Sequence, residues 1–269
     1  MAEVTRERGA LRGERLNDGL SAVAAGEGPP LVLLPGFGRG TDLSQRVPRA
    51  VALSTVALAR GFKRTVCQIN RPLNPPPGMT VADLAGWHAT ALRQRFGEPV
   101  DVMGISGGGG TALQLALDHP GTVRRLVLCN IASRVSEDGL RGLSQVTQLE
   151  GEGRSSAAAG SRLIAHGPLR PLVQAAYQLA PGRPRAPGEI ALVKAGQTWD
   201  VTARLRELRL PVLVIGGTRD RIIPADLMRA TATGIPGAQL LLLPGRGHLT
   251  ALWDRRAKPA IQAFLDAEP

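Results

Sequence analysis

Aromatic residues and cysteines are scarce in this sequence. Phenylalanine, tryptophan and tyrosine together make up 3% of the 269 residues, so leucine, valine, alanine and isoleucine must build the core. Cys67 and Cys129 lie far apart in apolar runs and form neither a CxxC pair nor the spacing of a metal site. We therefore expect two buried thiols in a reducing compartment and no bound metal.

Long apolar runs are also missing. No stretch reaches the ~18 residues that a membrane-spanning helix requires. Residues 1–16 are charged and contain no apolar segment typical of a signal peptide. A chain of this length that is 43% apolar can instead bury one large core. These features predict a cytoplasmic protein without a membrane span, built as one domain with an insertion.

Lysine is scarce too, although the chain is strongly basic. The formal net charge is +11, and among the 33 basic residues the lysines are Lys63, Lys194 and Lys258. The arginines are scattered singly or in pairs, and no stripe of alternating aromatic and basic residues occurs, so nucleic acid is not an expected partner. The positive charge is compatible with an acidic partner such as a carrier protein.

What the sequence does contain is a series of short apolar runs bounded by glycine and proline. Their continuous hydrophobicity is typical of strands in a parallel sheet that is covered on both faces. The predicted strands are 31–35, 64–70, 100–103, 125–130, 212–216 and 239–243. Before them, segments 11–16 and 20–24 flank the turn signal NDG and predict an antiparallel hairpin at the sheet edge.

Helical segments separate these strands. The predicted helices include 80–96, 107–119, 225–232 and 259–267. Thr80, with Asp83 three residues later, forms a capping-box pattern at the start of the first helix. The alternation of strands and helices predicts an α/β fold with a doubly wound, mostly parallel sheet.

The segment 133–198 departs from this alternation. It contains helical stretches and several prolines but no buried-strand run. We expect it to form a helical cap inserted into a core of residues 1–132 and 199–269. Within the cap, the stretch GEGRSSAAAG at 151–160 predicts a mobile linker.

Residues 104–108 read GISGG, at the point where a predicted buried strand ends and a helix begins. In a G-x-S-x-G turn the serine takes a strained backbone conformation, small neighbours relieve crowding, and the hydroxyl projects on its own. A phosphate-binding loop would require a following G-K-[ST] or a GxGxxG after the first strand, and neither occurs. Ser106 is therefore the predicted nucleophile, and no cofactor is expected.

A serine hydroxyl needs a base to remove its proton. His248 lies in a glycine-rich loop after the last predicted strand, from which it can extend over the sheet. His88 and His119 lie within or at the end of helices, where we expect structural roles. His166 lies in the insertion, where a pocket-lining position is one interpretation and a surface position is the expected one. His248 is the predicted base.

The third residue must be an acid that orients the imidazole and stabilises its charged form. Asp220 follows the predicted strand 212–216, whereas Asp226 is expected in the first turn of the next helix, where it complements the helix dipole. The strand that ends at Asn130 offers no acid at that point. Asp220 is the predicted acid.

Acyl transfer also needs N–H donors that point at the developing oxyanion. The backbone N–H of Gly107 directly follows the predicted nucleophile and lies at the start of a helix. The backbone N–H of Phe37 lies in the loop LPGFGRG after the first parallel strand. These two N–H groups form the predicted oxyanion hole.

With these motifs the sequence resembles the α/β-hydrolase family over nearly its whole length. The resemblance is carried by PGFG at 35–38, the GISGG turn, PVLVIGGTRDRIIP at 211–224 and PGRGH at 244–248, in the chain order Ser, Asp, His. It implies an eight-stranded, mostly parallel sheet with residues 133–198 as a cap over the site. One departure is NRPLNPPPGMT at 70–80, where many members carry Asp-x-Arg-Gly-x-Gly-Ser.

A serine nucleophile with this apparatus favours attack on the acyl carbon of an ester, a thioester or a lactone. The cap side chains are mainly aliphatic, with Tyr177, and favour an apolar acyl or alcohol part, either free or attached to a carrier protein. Two alternatives stay open. One is a cofactor-free perhydrolase; the other is a non-hydrolytic member of the fold, such as a lyase, a cyclase or a ligand-binding receptor, because fold does not determine function.

Overall fold

The structure, a computed structural model, describes residues 11–38, 40–179 and 185–267. In these ranges eight strands form one sheet. They are β1 (Gly13–Arg15), β2 (Ser21–Ala25), β3 (Pro30–Leu34), β4 (Thr65–Asn70), β5 (Val100–Ile105), β6 (Val123–Cys129), β7 (Val212–Gly217) and β8 (Gln239–Leu243). Their order across the sheet is β1-β2-β4-β3-β5-β6-β7-β8.

Most of the sheet is parallel. Strands β3 to β8 run in one direction, with β3 paired to both β4 and β5 at the centre. The edge is antiparallel, since β1 pairs with β2, and β2 pairs with β4 from Ser21 opposite Asn70 to Ala25 opposite Val66. The predicted α/β fold with a doubly wound, mostly parallel eight-stranded sheet is confirmed.

Helices connect the strands and cover both faces of the sheet. Those of the described residues are α1 (Arg49–Phe62), α2 (Val81–Phe96), α3 (Gly107–Asp118), α4 (Glu137–Gly151), α5 (Ala157–Ile164), α6 (Leu169–Leu179), α7 (Pro187–Thr198), α8 (Ala225–Gly234) and α9 (Ala257–Asp266). The predicted capping box begins α2: Asp83 N donates to Thr80 Oγ1 at 3.1 Å, and Thr80 N donates to Asp83 Oδ2 at 2.9 Å. None of these helices is long and apolar enough to cross a membrane.

The core lies in two layers because successive residues of a buried strand point to opposite faces. In β3, Val32 and Leu34 belong to the layer that includes α2 and α3. Leu31 and Leu33 belong to the layer that includes α1 and α9. This two-sided burial is the reason that the parallel strands read as unbroken apolar runs.

Both cysteines lie in these layers, as predicted. Burial raises the pKa of the Cys67 thiol to about 11 and also raises the pKa of Cys129. Because the thiolate is the reactive form, thiols held in this way are inert. The two cysteines are therefore core residues.

The described residues between β6 and β7 form α4, α5, α6 and α7. The two ends of this segment meet, because Val201 N donates to Ser133 O at 3.0 Å. The linker predicted at 151–160 is wrong in its second half: α4 continues to Gly151, and α5 begins at Ala157, so residues 152–156 separate the two helices. The alanines of AAAG favour helix over linker.

Candidate active site

The carboxyl ends of the parallel strands meet at one edge of the sheet. Ser106 directly follows β5, Asp220 lies on the loop after β7, and His248 lies on the loop after β8. In open α/β sheets this edge is where ligands bind. The structure brings the three predicted residues together there.

Ser106 lies in a strained turn between β5 and α3. Its backbone angles are φ 51° and ψ −126°, a region that non-glycine residues adopt only where the surrounding structure enforces it. Here Ser106 N donates to Cys129 O at 2.8 Å, and Gly109 N donates to Ser106 O at 2.7 Å. These bonds hold the turn, and the serine side chain lines a cavity above the sheet.

Two glycines allow this turn to form. A Cβ atom at Gly104 would lie 2.5 Å from Gly109 Cα and 2.7 Å from Gly108 O. A Cβ atom at Gly108 would overlap the carbonyl oxygens of Leu34 and Pro35. The strand, the helix and the loop after β3 can approach this closely only because both positions lack a side chain.

A series of hydrogen bonds joins the three residues. His248 Nε2 is 3.0 Å from Ser106 Oγ, and His248 Nδ1 is 2.7 Å from Asp220 Oδ2. The Asp220 side chain is fully buried, and its Oδ1 accepts the N–H groups of Ile222 and Ile223 at 2.9 and 3.0 Å. The carboxylate favours the tautomer with the proton on Nδ1, so Nε2 can accept the serine proton.

The two predicted N–H donors flank the serine. Gly107 N opens α3, where the helix dipole is positive. Phe37 follows Gly36, and a Cβ atom at Gly36 would lie 3.3 Å from Ser106 Cβ, so this loop packs against the serine. Within the described ranges, neither N–H donates to a protein acceptor. Both are therefore available to an oxygen bound beside Ser106.

A cavity of about 450 Å³ lies over Ser106 and His248. Its wall is mainly apolar and is formed by core loops together with residues of α4, α5, α6 and α7. It includes Tyr177 of α6 and the aliphatic side chains of Ile131, Leu143, Val146, Leu163, Val193 and Ile222. A partly exposed ion pair also lines it, with Arg185 Nε 2.6 Å from Glu150 Oε2. A cavity of this size and character suits a small molecule with an apolar part.

The other candidates lie outside the site. His88 is buried in α2, and burial lowers its pKa to about 4. His119 ends α3, and Asp226 is exposed in the first turn of α8. In the part of the chain that the structure describes, no group of three or more His, Cys, Asp or Glu side chains is arranged to hold a metal ion.

His166 is not the surface residue that the sequence suggested. It is half-buried, and its ring packs so closely on Gly247 that a Cβ atom there would overlap it. It therefore supports the loop that carries His248. A histidine between two helices of an insertion offers no local sequence signal for this contact.

Asn130 is a further residue of the site, and the sequence analysis predicted no role for it. Its Nδ2 donates to His248 O at 2.8 Å, and its backbone takes a left-handed conformation with φ 52°. Asparagine tolerates that conformation better than most residues. Asn130 thus holds the histidine loop from the end of β6, and a polar residue directly after a buried strand was the available signal.

Comparison with known proteins identifies the family. The profile of the alpha/beta hydrolase fold matches residues 29–255. The chain is 26% identical over 235 residues to the pimeloyl-[acyl-carrier protein] methyl ester esterase of Nitrosomonas europaea, which covers 83% of this chain and 90% of that protein. It is 32% identical over 185 residues to the 2-hydroxymuconate semialdehyde hydrolase of Pseudomonas putida, which covers 61% and 62%.

Solved structures with a similar fold also include hydrolases by name. The crystal structure of a hydrolase from Pseudomonas aeruginosa PA01 matches 97% of this chain and 100% of that chain, with a TM-score of 0.74 and 23% identity. The profile match spans most of the chain, from before the first parallel strand to beyond the histidine loop. The chain therefore belongs to the alpha/beta hydrolase fold family.

Proposed function

We propose that this protein is a serine hydrolase that cleaves a carboxylic ester or thioester with an apolar acyl or alcohol part. The observation that carries the proposal is the hydrogen-bonded series from Asp220 through His248 to Ser106, beneath a mainly apolar cavity. Membership of the family supports the reaction class. So does the relative named as a methyl ester esterase.

Acylation begins when Ser106 Oγ attacks the carbonyl carbon of the substrate. His248 Nε2 takes the hydroxyl proton as the new C–O bond forms, and the Asp220 carboxylate stabilises the resulting imidazolium. The carbonyl electron pair moves onto oxygen, which accepts the N–H groups of Phe37 and Gly107. Collapse breaks the bond to the alcohol or thiol, which leaves with the proton from Nε2.

Deacylation repeats these steps with water. His248 Nε2 removes a proton from the water as its oxygen attacks the acyl-serine, and the same two N–H groups bind the second oxyanion. Breakdown returns the proton to Ser106 Oγ and releases the carboxylic acid. One water is consumed, and the site regains its starting protonation.

We assign the segment 133–198 the role of a cap that binds the apolar part of the substrate. Leu143, Val146 and Leu163 supply aliphatic wall to the cavity, and excluding water there strengthens the polar interactions at the serine. The substrate is either free or attached to a carrier protein. The net charge of +11 supports binding of an acidic carrier protein.

A substrate screen tests the proposal. p-Nitrophenyl esters from acetate to dodecanoate, together with acyl thioesters of N-acetylcysteamine and of coenzyme A, would be assayed with the wild-type protein and with Ser106→Ala. We expect turnover of at least one series, with kcat lower by ~10⁴-fold or more in Ser106→Ala. A folded wild-type protein that turns over none of these compounds, or a Ser106→Ala variant with wild-type rates, would overturn the proposal and favour a non-hydrolytic role.

A further inference from the structure

A buried arginine lies behind the loop that carries Phe37. Arg71 directly follows β4; its Nη1 donates to Gly36 O at 3.2 Å, and its Nη2 donates to Gly38 O. Its guanidinium carbon also lies 5.3 Å from the centre of the Phe37 ring. Arg71 thus binds the carbonyl groups on both sides of Phe37 as well as its side chain.

A buried glutamate from the segment between β6 and β7 reaches the same loop. Glu189 lies in the first turn of α7 and is fully buried. Its Oε1 accepts Gly40 N at 2.7 Å and lies 3.9 Å from Arg71 Nη2. Its Oε2 accepts Ala186 N at 3.1 Å. One carboxylate therefore joins the start of α7 to the loop and faces the arginine.

The Phe37 ring lies between two helices. On one side it packs on Gly107, where a Cβ atom would lie 2.7 Å from ring carbon Cδ1. On the other side it faces Gly196 of α7, where a Cβ atom would lie 3.1 Å from ring carbon Cε2. The ring, the arginine and the glutamate together define where the Phe37 backbone lies relative to Gly107.

We propose that Arg71 and Glu189 are positioning residues that hold the Phe37 N–H beside the Gly107 N–H. The docking of α7 on the core would then assemble the oxyanion hole. This inference rests on the proposed function, since it concerns a donor for acyl transfer. Of this loop the structure describes residues 36–38 and 40, and these belong to no strand or helix that could hold the donor in place. Burying a charged pair is costly unless its hydrogen bonds are made. Three of the backbone partners used here, Gly36 O, Gly38 O and Gly40 N, belong to this loop.

The test compares Arg71→Met, Arg71→Lys and Glu189→Gln with Arg64→Met as the matched control. Arg64 lies at the opposite end of the same strand, β4, and is as buried as Arg71, with 5% and 6% exposure. It pairs with Asp101 at 3.2 Å and with Asp266 at 2.6 Å, away from the candidate site. Its replacement removes a buried ion pair without touching the Phe37 loop.

Hydrolysis of p-nitrophenyl acetate and thermal unfolding are measured for each protein. We expect kcat to fall by ~10²-fold in Arg71→Met with little change in KM, because a donor displaced by about 1 Å costs about that much. Arg71→Lys should recover part of the loss, since an ammonium group can reach one of the two carbonyl oxygens. Arg64→Met should lower the unfolding temperature and leave kcat near the wild-type value.

The paired variant Arg71→Met/Glu189→Gln adds a further test. Its loss of kcat should be smaller than the product of the two separate losses, because both residues act on one loop. Wild-type kcat in folded Arg71→Met, or an equal loss in Arg64→Met, would overturn the inference. If Arg71→Met does not fold, wild-type kcat in both Arg71→Lys and Glu189→Gln would overturn it. Failure of the proposed function would give a different result, because the wild-type protein itself would then hydrolyse no ester. Because the inference rests on that function, it would then be wrong as well.

Discussion

Asp220 and Asp226 differ in environment although they are close in the chain. Asp220 is buried, accepts two backbone N–H groups and faces His248 Nδ1 at 2.7 Å. Asp226 is exposed in the first turn of α8. A carboxylate orients an imidazole only when its own position is fixed, so the two residues make a matched pair for a test.

Asp220→Asn should lower kcat by ~10⁴-fold, because the amide favours the wrong imidazole tautomer and leaves the imidazolium without a counter-charge. Asp226→Asn should stay within about 3-fold of wild type, since an exposed first-turn charge contributes under about 1 kcal/mol to its helix. Steady-state kinetics on the best ester of the screen measure both. A larger loss in Asp226→Asn than in Asp220→Asn would mean that the acid has been assigned to the wrong residue.

The sequence could locate the candidate triad because each member follows a recognisable buried strand. The contacts that hold the loops of the site in place could not be predicted in this way, although Asn130 itself also directly follows a buried strand. The bond from Asn130 to His248 O joins positions 118 residues apart, and Gly40 and Glu189 are 149 residues apart. Such contacts arise from how loops meet at the sheet edge, and no local pattern encodes them.

At the scale of secondary-structure elements, α2 buries a titratable group in its apolar face. His88 is 3% exposed, among Leu84, Ala85 and Leu92 of the same helix. Among the described residues its Nδ1 has no hydrogen-bond partner. Burial without a partner disfavours the charged form, which is the reason that the pKa of His88 falls to about 4.

Acid should therefore destabilise the fold partly through α2. The folded-state pKa of His88 is about 4, below the ordinary value of 6.5, so between these values the unfolded chain binds the proton more readily. The free energy of unfolding should be unaffected by His88 above about pH 6.5 and should fall by up to roughly 3 kcal/mol as the pH drops toward 4. Urea unfolding at several pH values measures this free energy. In His88→Leu it should decrease less steeply as the pH falls from 6.5 toward 4.

His119→Gln serves as the control for this measurement, because His119 is half-buried at the end of α3 and is not enclosed in the core. It should keep the wild-type slope. An identical slope in wild type and in His88→Leu would show that His88 does not limit stability in acid.

The strands were predictable where helices cover both faces of the sheet. The parallel strands read as continuous apolar runs, and each observed strand falls within a few residues of its prediction. Helix α1 was missed because Pro48 at its N-cap makes no side-chain capping bond, so the start carries no signal. The helix at Ala157 was misjudged because serine and glycine around it resemble a linker.

At the scale of the whole molecule, the candidate site is shared between two parts of the chain. The triad and the N–H donors come from loops of the sheet, whereas much of the cavity wall comes from α4, α5 and α7. Reactivity and substrate preference should therefore respond to different substitutions. Val146 lines the cavity from α4, and its neighbour Gln145 is exposed, which provides a matched pair.

Val146→Trp should shorten the space for the apolar part of the substrate. Each buried methylene contributes about 0.8 kcal/mol, or roughly 4-fold in kcat/KM. The variant should therefore lose more than ~10-fold on p-nitrophenyl octanoate and less than ~3-fold on the acetate. Gln145→Trp should match wild type on both esters. Equal losses on both esters in Val146→Trp would place the determinants of chain length elsewhere, for instance in the loop 70–80.

The most direct test of the proposed function is to identify the residue that a fluorophosphonate modifies. After reaction with a fluorophosphonate, trypsin releases residues 96–124, in which Ser106 is the only serine. Peptide mass spectrometry should find the adduct on Ser106, and the adduct should be absent from Ser106→Ala and formed far more slowly in His248→Ala. An adduct on another residue, or one that persists in folded Ser106→Ala, would contradict the assignment of Ser106 as the nucleophile.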